Sequence, residues 1–211
     1  RCVRVTDGTD LAAAVVAQTN CITYTAKYSG TLGNFVQVTI GAGSKASTFR
    51  VTVALPGRVG EVFDNITGSG NALWVNIAAA INQGQSGIRG PSNIIVASAG
   101  VGTTAPTLQT LTLAGGTDGA GVAGSNLIGA DGTTRTGMYA LRGTGSSIGM
   151  LADLDDPTTF TVQVAYGLSE GTYMIGTGPA GETITSAATA KATAGIDTYA
   201  MKVLLGDWCY W

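Results

Sequence analysis

The sequence predicts a two-domain α+β protein in which a mostly antiparallel, sandwich-like β-domain is inserted into a discontinuous α/β domain. Two observations carry this. Between Asn20 and Leu113, short segments alternate polar and apolar residues with period two, as half-buried antiparallel strands do. From Thr134 onward, short apolar runs alternate with helix-like patterns, as βαβ units do. The opening residues read in the second style. The expected division is therefore 1–18 plus 114–211 for the α/β domain and 19–113 for the insert.

In order, Val3 and Val5 alternate with Arg4 and Thr6 in a short strand. Asp7-Gly8 turns, and Asp10 is placed to cap a helix over Leu11 to Gln18. Ile22 to Thr25 alternates, and Ala26 to Asn34 is a loop. Val36, Val38 and Ile40 share one face of the next strand. Phe49, Val51 and Val53 share one face of the following strand, and the Gly/Ser-rich turn between them makes a hairpin. Glu61 to Ile66 is a short extended piece or a turn. Leu73, Trp74, Ile77, Ala78 and Ile81 have the spacing of one helical face, with Asn71 or Ser69 as cap and Gly84 as stop. Ser92 to Ser98 and Thr107 to Leu113 complete the β-domain, and Ala114 to Ser125 reads as a glycine-rich link.

The stretch Thr134 to Pro157 organises the rest. It reads as a short helix around Met138 to Leu141, a break at Gly143 to Gly145, a strand at Ile148 to Ala152 buried on both faces, and a capped helix start at Asp155-Asp156-Pro157. A helix from Pro157 to Leu168, a strand at Thr172 to Thr177, a helix from about Glu182 to Thr193 and a strand at Met201 to Leu205 follow, with spacing suited to parallel crossovers.

Composition excludes several chemistries. Charged residues make up 11% of the 211, less than half the usual share of about 25%. The surface must therefore be built largely from Thr, Ser, Asn, Gln and Gly. Net charge is −2 and the basic residues form no run, which argues against an electrostatic grip on nucleic acid. No apolar stretch reaches membrane-spanning length. Histidine is absent, which removes Ser-His-Asp and Cys-His catalysis and the usual zinc sites. Cys2, Cys21 and Cys209 form no CxxC pair and read as small buried apolar side chains.

Few motifs offer chemistry. The glycine-rich run from Gly115 lacks the Lys-Ser/Thr ending of a phosphate loop, and Gly143 to Gly149 precedes a strand where a dinucleotide fingerprint would follow one. Asp153, Asp155 and Asp156 lie at the C-terminal end of a predicted parallel strand, where they serve either as helix caps or as ligands of a divalent ion. A ligand-binding or enzymatic reading would use these aspartates and a mouth at Gly176 to Gly178. A secreted adhesin-like reading would use the β-domain. Trp208, Tyr210 and Trp211 form an aromatic end that either packs or marks an interface. No residue is assigned a catalytic, cofactor-binding or metal-binding role.

Five motifs occur in a fixed order: AKYSGTLGNFVQVTI (Ala26 to Ile40), EVFDNI (Glu61 to Ile66), LAGGTDG (Leu113 to Gly119), TGMYAL (Thr136 to Leu141) and LLGDWCYW (Leu204 to Trp211). The series resembles the contractile phage tail sheath proteins and their relatives in pyocin-like particles. The resemblance implies a β-sandwich-like domain inserted into an α/β domain of subtilisin-like topology, here without subtilisin chemistry. It implies a structural subunit, not an enzyme. Its partners would be other copies of itself in a helical polymer, the tail tube protein and the baseplate. It would need no cofactor, nucleic acid or membrane insertion. Its location would be the virion tail, assembled in the bacterial cytoplasm. The resemblance also implies that linking arms lie outside this chain, which is expected to be a central fragment and monomeric when isolated.

Overall fold

The computed structural model describes residues 1–204. It divides into two compact units, residues 8–120 and residues 1–7 with the chain from Gly121. The architecture mixes α and β, with antiparallel sheets in the first unit and a parallel sheet in the second.

In the first unit, β1 (Ala14–Gln18), β2 (Ile22–Ala26) and β6 (Ile95–Ala99) form a three-stranded sheet in the order β1-β2-β6. β3 (Gln37–Ala42), β4 (Phe49–Ala54), β5 (Glu61–Ile66) and β7 (Gln109–Thr112) form a second sheet in the order β5-β4-β3-β7. Every pairing is antiparallel. Isolated bridges Ala14–Ala114 and Leu11–Thr117 join the two sheets just beyond β7. The helix α1 (Gly70–Gln83) packs against β5 and β6, the strands at the far ends of this order. The predicted periodicities hold for Val36, Val38, Ile40, Val51 and Val53 and for Trp74, Ile77 and Ile81, which point into one core with Tyr24 and Phe63. The indole Nε1–H of Trp74, fully buried, donates to the Thr104 carbonyl at 2.9 Å.

The expected helix over Leu11 to Gln18 is a strand. Ala13 and Ala17 face the core, Val16 faces solvent, and β1 takes its ladder from β2. Two adjacent β-branched valines suit that pairing, and tertiary hydrogen bonds override the alanine-rich helix preference. Asp10 caps no helix; its carboxylate accepts from the Ser29 hydroxyl. Residues 8–18 and 114–120 therefore belong to the antiparallel unit, which moves both boundaries outward from 18/19 and 113/114. Val3 to Val5 adopt no regular structure.

In the second unit, β8 (Ile148–Met150), β9 (Tyr173–Thr177) and β10 (Met201–Leu204) form a parallel sheet in the order β10-β9-β8. α3 (Phe160–Glu170) connects β8 to β9, and α4 (Ile184–Ala194) connects β9 to β10. A short helix α2 (Gly124–Ile128) and a 3-10 turn at Gly137–Leu141 precede them. Met138, Phe160, Tyr166, Met174 and Met201 form the core. Gly167 lets α3 approach the sheet closely, since a Cβ there would lie 2.6 Å from the Thr172 carbonyl oxygen. β8 departs from expectation. It lies at an edge, with Ile148 65% and Met150 54% exposed, because among the described residues nothing pairs with its outer side. The expected strand to Leu205 is described as far as Leu204, and the aromatic end from Trp208 lies outside the described residues.

Candidate functional site

Four motifs of the ordered series can be placed, and each proves to hold backbone. The loop Ala26 to Asn34 and the segment Leu113 to Gly119 lie against each other. Asn34 Nδ2 donates to the Gly116 carbonyl at 2.9 Å, and the Gly116 N–H donates back to Asn34 Oδ1 at 2.8 Å. The Thr31 N–H donates to Asp118 Oδ1 at 2.9 Å, and the Thr31 hydroxyl binds the other carboxylate oxygen. Gly33 and Gly116 are there for space. A Cβ on Gly33 would meet the Cβ atoms of Ala13 and Ala26 at 3.0 Å, and one on Gly116 would lie 2.5 Å from the Gly30 carbonyl oxygen. The glycine-rich link is thus held over its first half, and the Gly116 N–H that a phosphate loop would offer is already bound.

In Glu61 to Ile66, Glu61 is buried and accepts from the Ser92 hydroxyl and, at 2.9 Å, from the Asn93 N–H. Arg89 reaches the same carboxylate at 3.5 Å while stacking 4.3 Å from the Phe63 ring centre. Asp64 and Asn65 tie the 43–48 turn. Asp64 takes the Ser44 N–H at 3.0 Å together with its hydroxyl, and these bonds hold its carboxyl below the usual carboxylate range. Asn65 Oδ1 accepts from the Lys45 N–H at 2.8 Å, with Asn65 at φ 57°.

In Thr136 to Leu141, Gly137 packs against the Asn126 and Leu127 carbonyls, Met138 is buried, and Tyr139 meets Tyr166 edge-on at 5.6 Å. Beside it, Arg142 bonds Glu170 at 2.6 Å, Asp131 and the Ser169 hydroxyl. The Gly143 N–H adds a second donor to Glu170 at 3.0 Å, and Arg142 with this N–H depresses the Glu170 pKa.

Of the aspartates at the β8–α3 turn, Asp156 is the cap. Asp156 Oδ1 accepts from the Thr158 N–H at 2.9 Å and from its hydroxyl at 2.7 Å, ahead of Pro157 at the first helical position. Asp153 and Asp155 are exposed, while Leu154 between them is buried. Among the described residues, no three His, Cys, Asp or Glu side chains gather as metal ligands would. The Gly176 end of the expected mouth is filled by packing: a Cβ there would lie 2.2 Å from Met201 Cε and 3.0 Å from Phe160 Cε1. Cys21 is buried as expected, Cys2 is exposed against expectation, and neither is in a disulfide. Cys209 lies outside the described residues.

Sequence reasoning missed a recurring device: carboxamides standing in for strands. Asn82 donates to the Ala97 carbonyl at 2.7 Å and accepts the Ala97 N–H at 2.9 Å, closing the outer edge of β6. Gln85 does the same for Asp64 on β5, donating at 2.7 Å and accepting at 3.2 Å. Asn34 repeats it at Gly116. The available signal was the unusual reliance on uncharged polar residues. Such pairings satisfy both backbone groups of an edge residue without charge.

Together these arrangements define a protein whose distinctive residues are spent on holding backbone. No family model matches the sequence, and no curated protein matches it. Among solved structures, the fold is similar to a sheath tail protein from Desulfitobacterium hafniense, with a TM-score of 0.44 and 16% identity over 80% of this chain and 35% of that one. It is likewise similar to a sheath tail protein from Listeria innocua, with a TM-score of 0.46 and 16% identity over 82% of this chain and 35% of that one. The chain thus spans about a third of the length of each, at 35%.

Proposed function

We propose that this chain is part of a structural subunit of a contractile phage tail sheath. The subunit polymerises around the inner tail tube and contracts to drive the tube through the host envelope. The reading is carried by the ordered motif series that resembles sheath proteins, four members of which hold backbone instead of presenting reactive groups. Its partners are other copies of the subunit, the tube protein and the baseplate, and its place is the virion tail. A helical polymer needs open, non-closing contacts. The parallel sheet offers them: the outer edge of β8 is unpaired among the described residues, and Ile148, Met150, Tyr173 and Leu204 are exposed on the sheet. Parallel sheets are ordinarily covered on both faces, and strand addition is a common way to extend an open edge. Contraction requires two packings of one subunit, the extended one metastable.

Electron microscopy of the intact gene product, alone and with its tube protein, tests this. Hollow cylinders of regular helical pitch are expected. A product that stays monomeric in both conditions overturns the proposal.

A further inference from the structure

Two apolar surfaces are used by neither core. The first belongs to the loop of the Ala26 to Ile40 motif. Leu32 and Phe35 lie three residues apart in the 3-10 turn Thr31–Phe35, so they stand on one face, 63% and 60% exposed. Leu11, whose carbonyl takes the Gly30 N–H, and Tyr28 flank this turn and are also more than half exposed. The second is the uncovered face of the parallel sheet, where Ile148, Met150, Tyr173 and Leu204 are exposed. We propose that the loop patch of one copy seats on the open sheet face of a second copy, a head-to-tail contact between unlike surfaces of the same chain. This deepens the sheath reading, on which it rests for its place in a polymer, by naming the surface that meets the sheet.

The loop backbone is fully engaged, and its apolar side chains are not. Thr31 is held by Asp118, Asn34 by Gly116, and Gly33 between them packs against Ala13 and Ala26. The backbone carrying Leu32 and Phe35 is therefore fixed, which lowers the ordering cost of a contact made through them. Single exposed apolar residues are ordinary, but four around one pinned turn, two of them aromatic, mark an interaction surface.

Charge selects the occupant. The sheet face carries one charge, the exposed Lys202. At the loop, Asp118 sets an exposed carboxylate beside Thr31, and Lys27 is engaged at the Ser92 carbonyl at 3.2 Å. Loop against sheet thus joins apolar to apolar and anion to cation, whereas either surface paired with itself would bring like charges together. A contact between unlike surfaces leaves one of each unused on every pair, so it repeats without closing. At about 100 Å² for each half-exposed large side chain, each surface offers roughly 400 Å². A contact of roughly 800 Å² falls below the ~1,200–2,000 Å² of stable complexes. The purified chain is therefore monomeric at micromolar concentration and associates at about 0.1–1 mM, the contact gaining strength by repetition in a polymer.

The test is sedimentation equilibrium of the purified chain up to about 1 mM, alone and as variants. Phe35→Asp and Met150→Asp, both at exposed positions, should each weaken self-association by at least about tenfold. Mixed together they should form a one-to-one pair and nothing larger, because one intact loop and one intact face remain. Circular dichroism checks each fold, with Leu32→Asp and Ile148→Asp as second variants. A wild-type chain that stays monomeric at the highest concentration, association that survives either substitution, or a mixture that stays monomeric would each overturn the proposal. The sheath reading is decided separately. Cylinders from the intact gene product carrying Phe35→Asp would overturn this contact and leave that reading standing, and a wild-type product without cylinders would overturn that reading alone.

Discussion

Removing the Asn34 carboxamide gives the sharpest test of the view that the ordered motifs are structural. Asn34→Ala deletes the 2.9 Å bond to the Gly116 carbonyl and the 2.8 Å bond from its N–H. Gly116 is buried and has no room to shift toward the loop, since even a Cβ would lie 2.5 Å from the Gly30 carbonyl. Two backbone groups are thus left without partners, each at about 1–2 kcal/mol because water partly reaches the half-buried Asn34 site, so we expect a loss of about 2–4 kcal/mol. A unit of residues 8–120 converts each kcal/mol into about 4 °C of melting temperature, which gives a drop of about 8–16 °C. Asn34→Asp should be no better than alanine, because it keeps the acceptor for the Gly116 N–H but sets a carboxylate against the Gly116 carbonyl. The assay is thermal unfolding paired with hydrogen exchange, read at the Gly116 amide. A loss below about 0.5 kcal/mol with unchanged Gly116 protection would refute the reasoning, and the loop would then be free for a binding role.

Other consequences are open to measurement. Glu170 has a folded pKa below its unfolded value because of Arg142 and the Gly143 N–H, so its stabilisation is present above the unfolded pKa and is lost as pH falls through the folded one. Glu170→Gln should therefore flatten the acid side of the melting curve; an identical acid limb in both proteins counts against the pairing. Asp156→Ala should cost about 1 kcal/mol as a lost helix cap, Asp155→Ala less than about 0.5 kcal/mol, and millimolar calcium should leave the melting temperature unchanged. A calcium-dependent rise that either variant removes would favour the ion reading. Gly167→Ala should cost about 1–3 kcal/mol by forcing α3 off β9, where its Cβ would sit 2.6 Å from the Thr172 carbonyl; chemical denaturation reads this directly. Asn82→Ala should raise concentration-dependent association in sedimentation experiments by uncovering the β6 edge.

Much of the antiparallel unit was legible because period-two alternation and core burial coincide. Val36, Val38 and Ile40, then Val51 and Val53, share a face by pattern alone and are all at most 2% exposed. The helix over Leu73 to Ile81 was legible for the same reason. The opening segment was not, because Leu11 to Gln18 has good helix formers and a plausible cap, while its strand depends on pairing with Ile22 to Thr25 and on bridges to Ala114 and Thr117 far off in sequence. The hairpin with β2 is near in sequence, but the bridges that tie this segment to the second sheet leave no local trace. The carboxamide pairings were illegible for a related cause. Asn34, Asn82 and Gln85 look like ordinary polar residues until the fold brings an edge amide to each.

The two units reach order by different means. The antiparallel unit surrounds one continuous core with seven strands and a helix, and it closes its outer strands with its own amides. Among the described residues, the parallel sheet has a core on one side only and leaves its β8 edge unpaired. In register, Ile148 pairs with Tyr173, Met150 with Ile175 and Ile175 with Lys202, so one face of the sheet carries apolar residues and a single charge. The opposite face, with Met174, Gly176 and Met201, is the one α3 covers through Phe160 and Gly167. An apolar parallel face left open at equilibrium would be a site of nonspecific association, so its retention is reasonable only where something covers it. That asymmetry among the described residues, one unit closed on itself and one with an open sheet edge and face, is what the proposed assembling subunit would use.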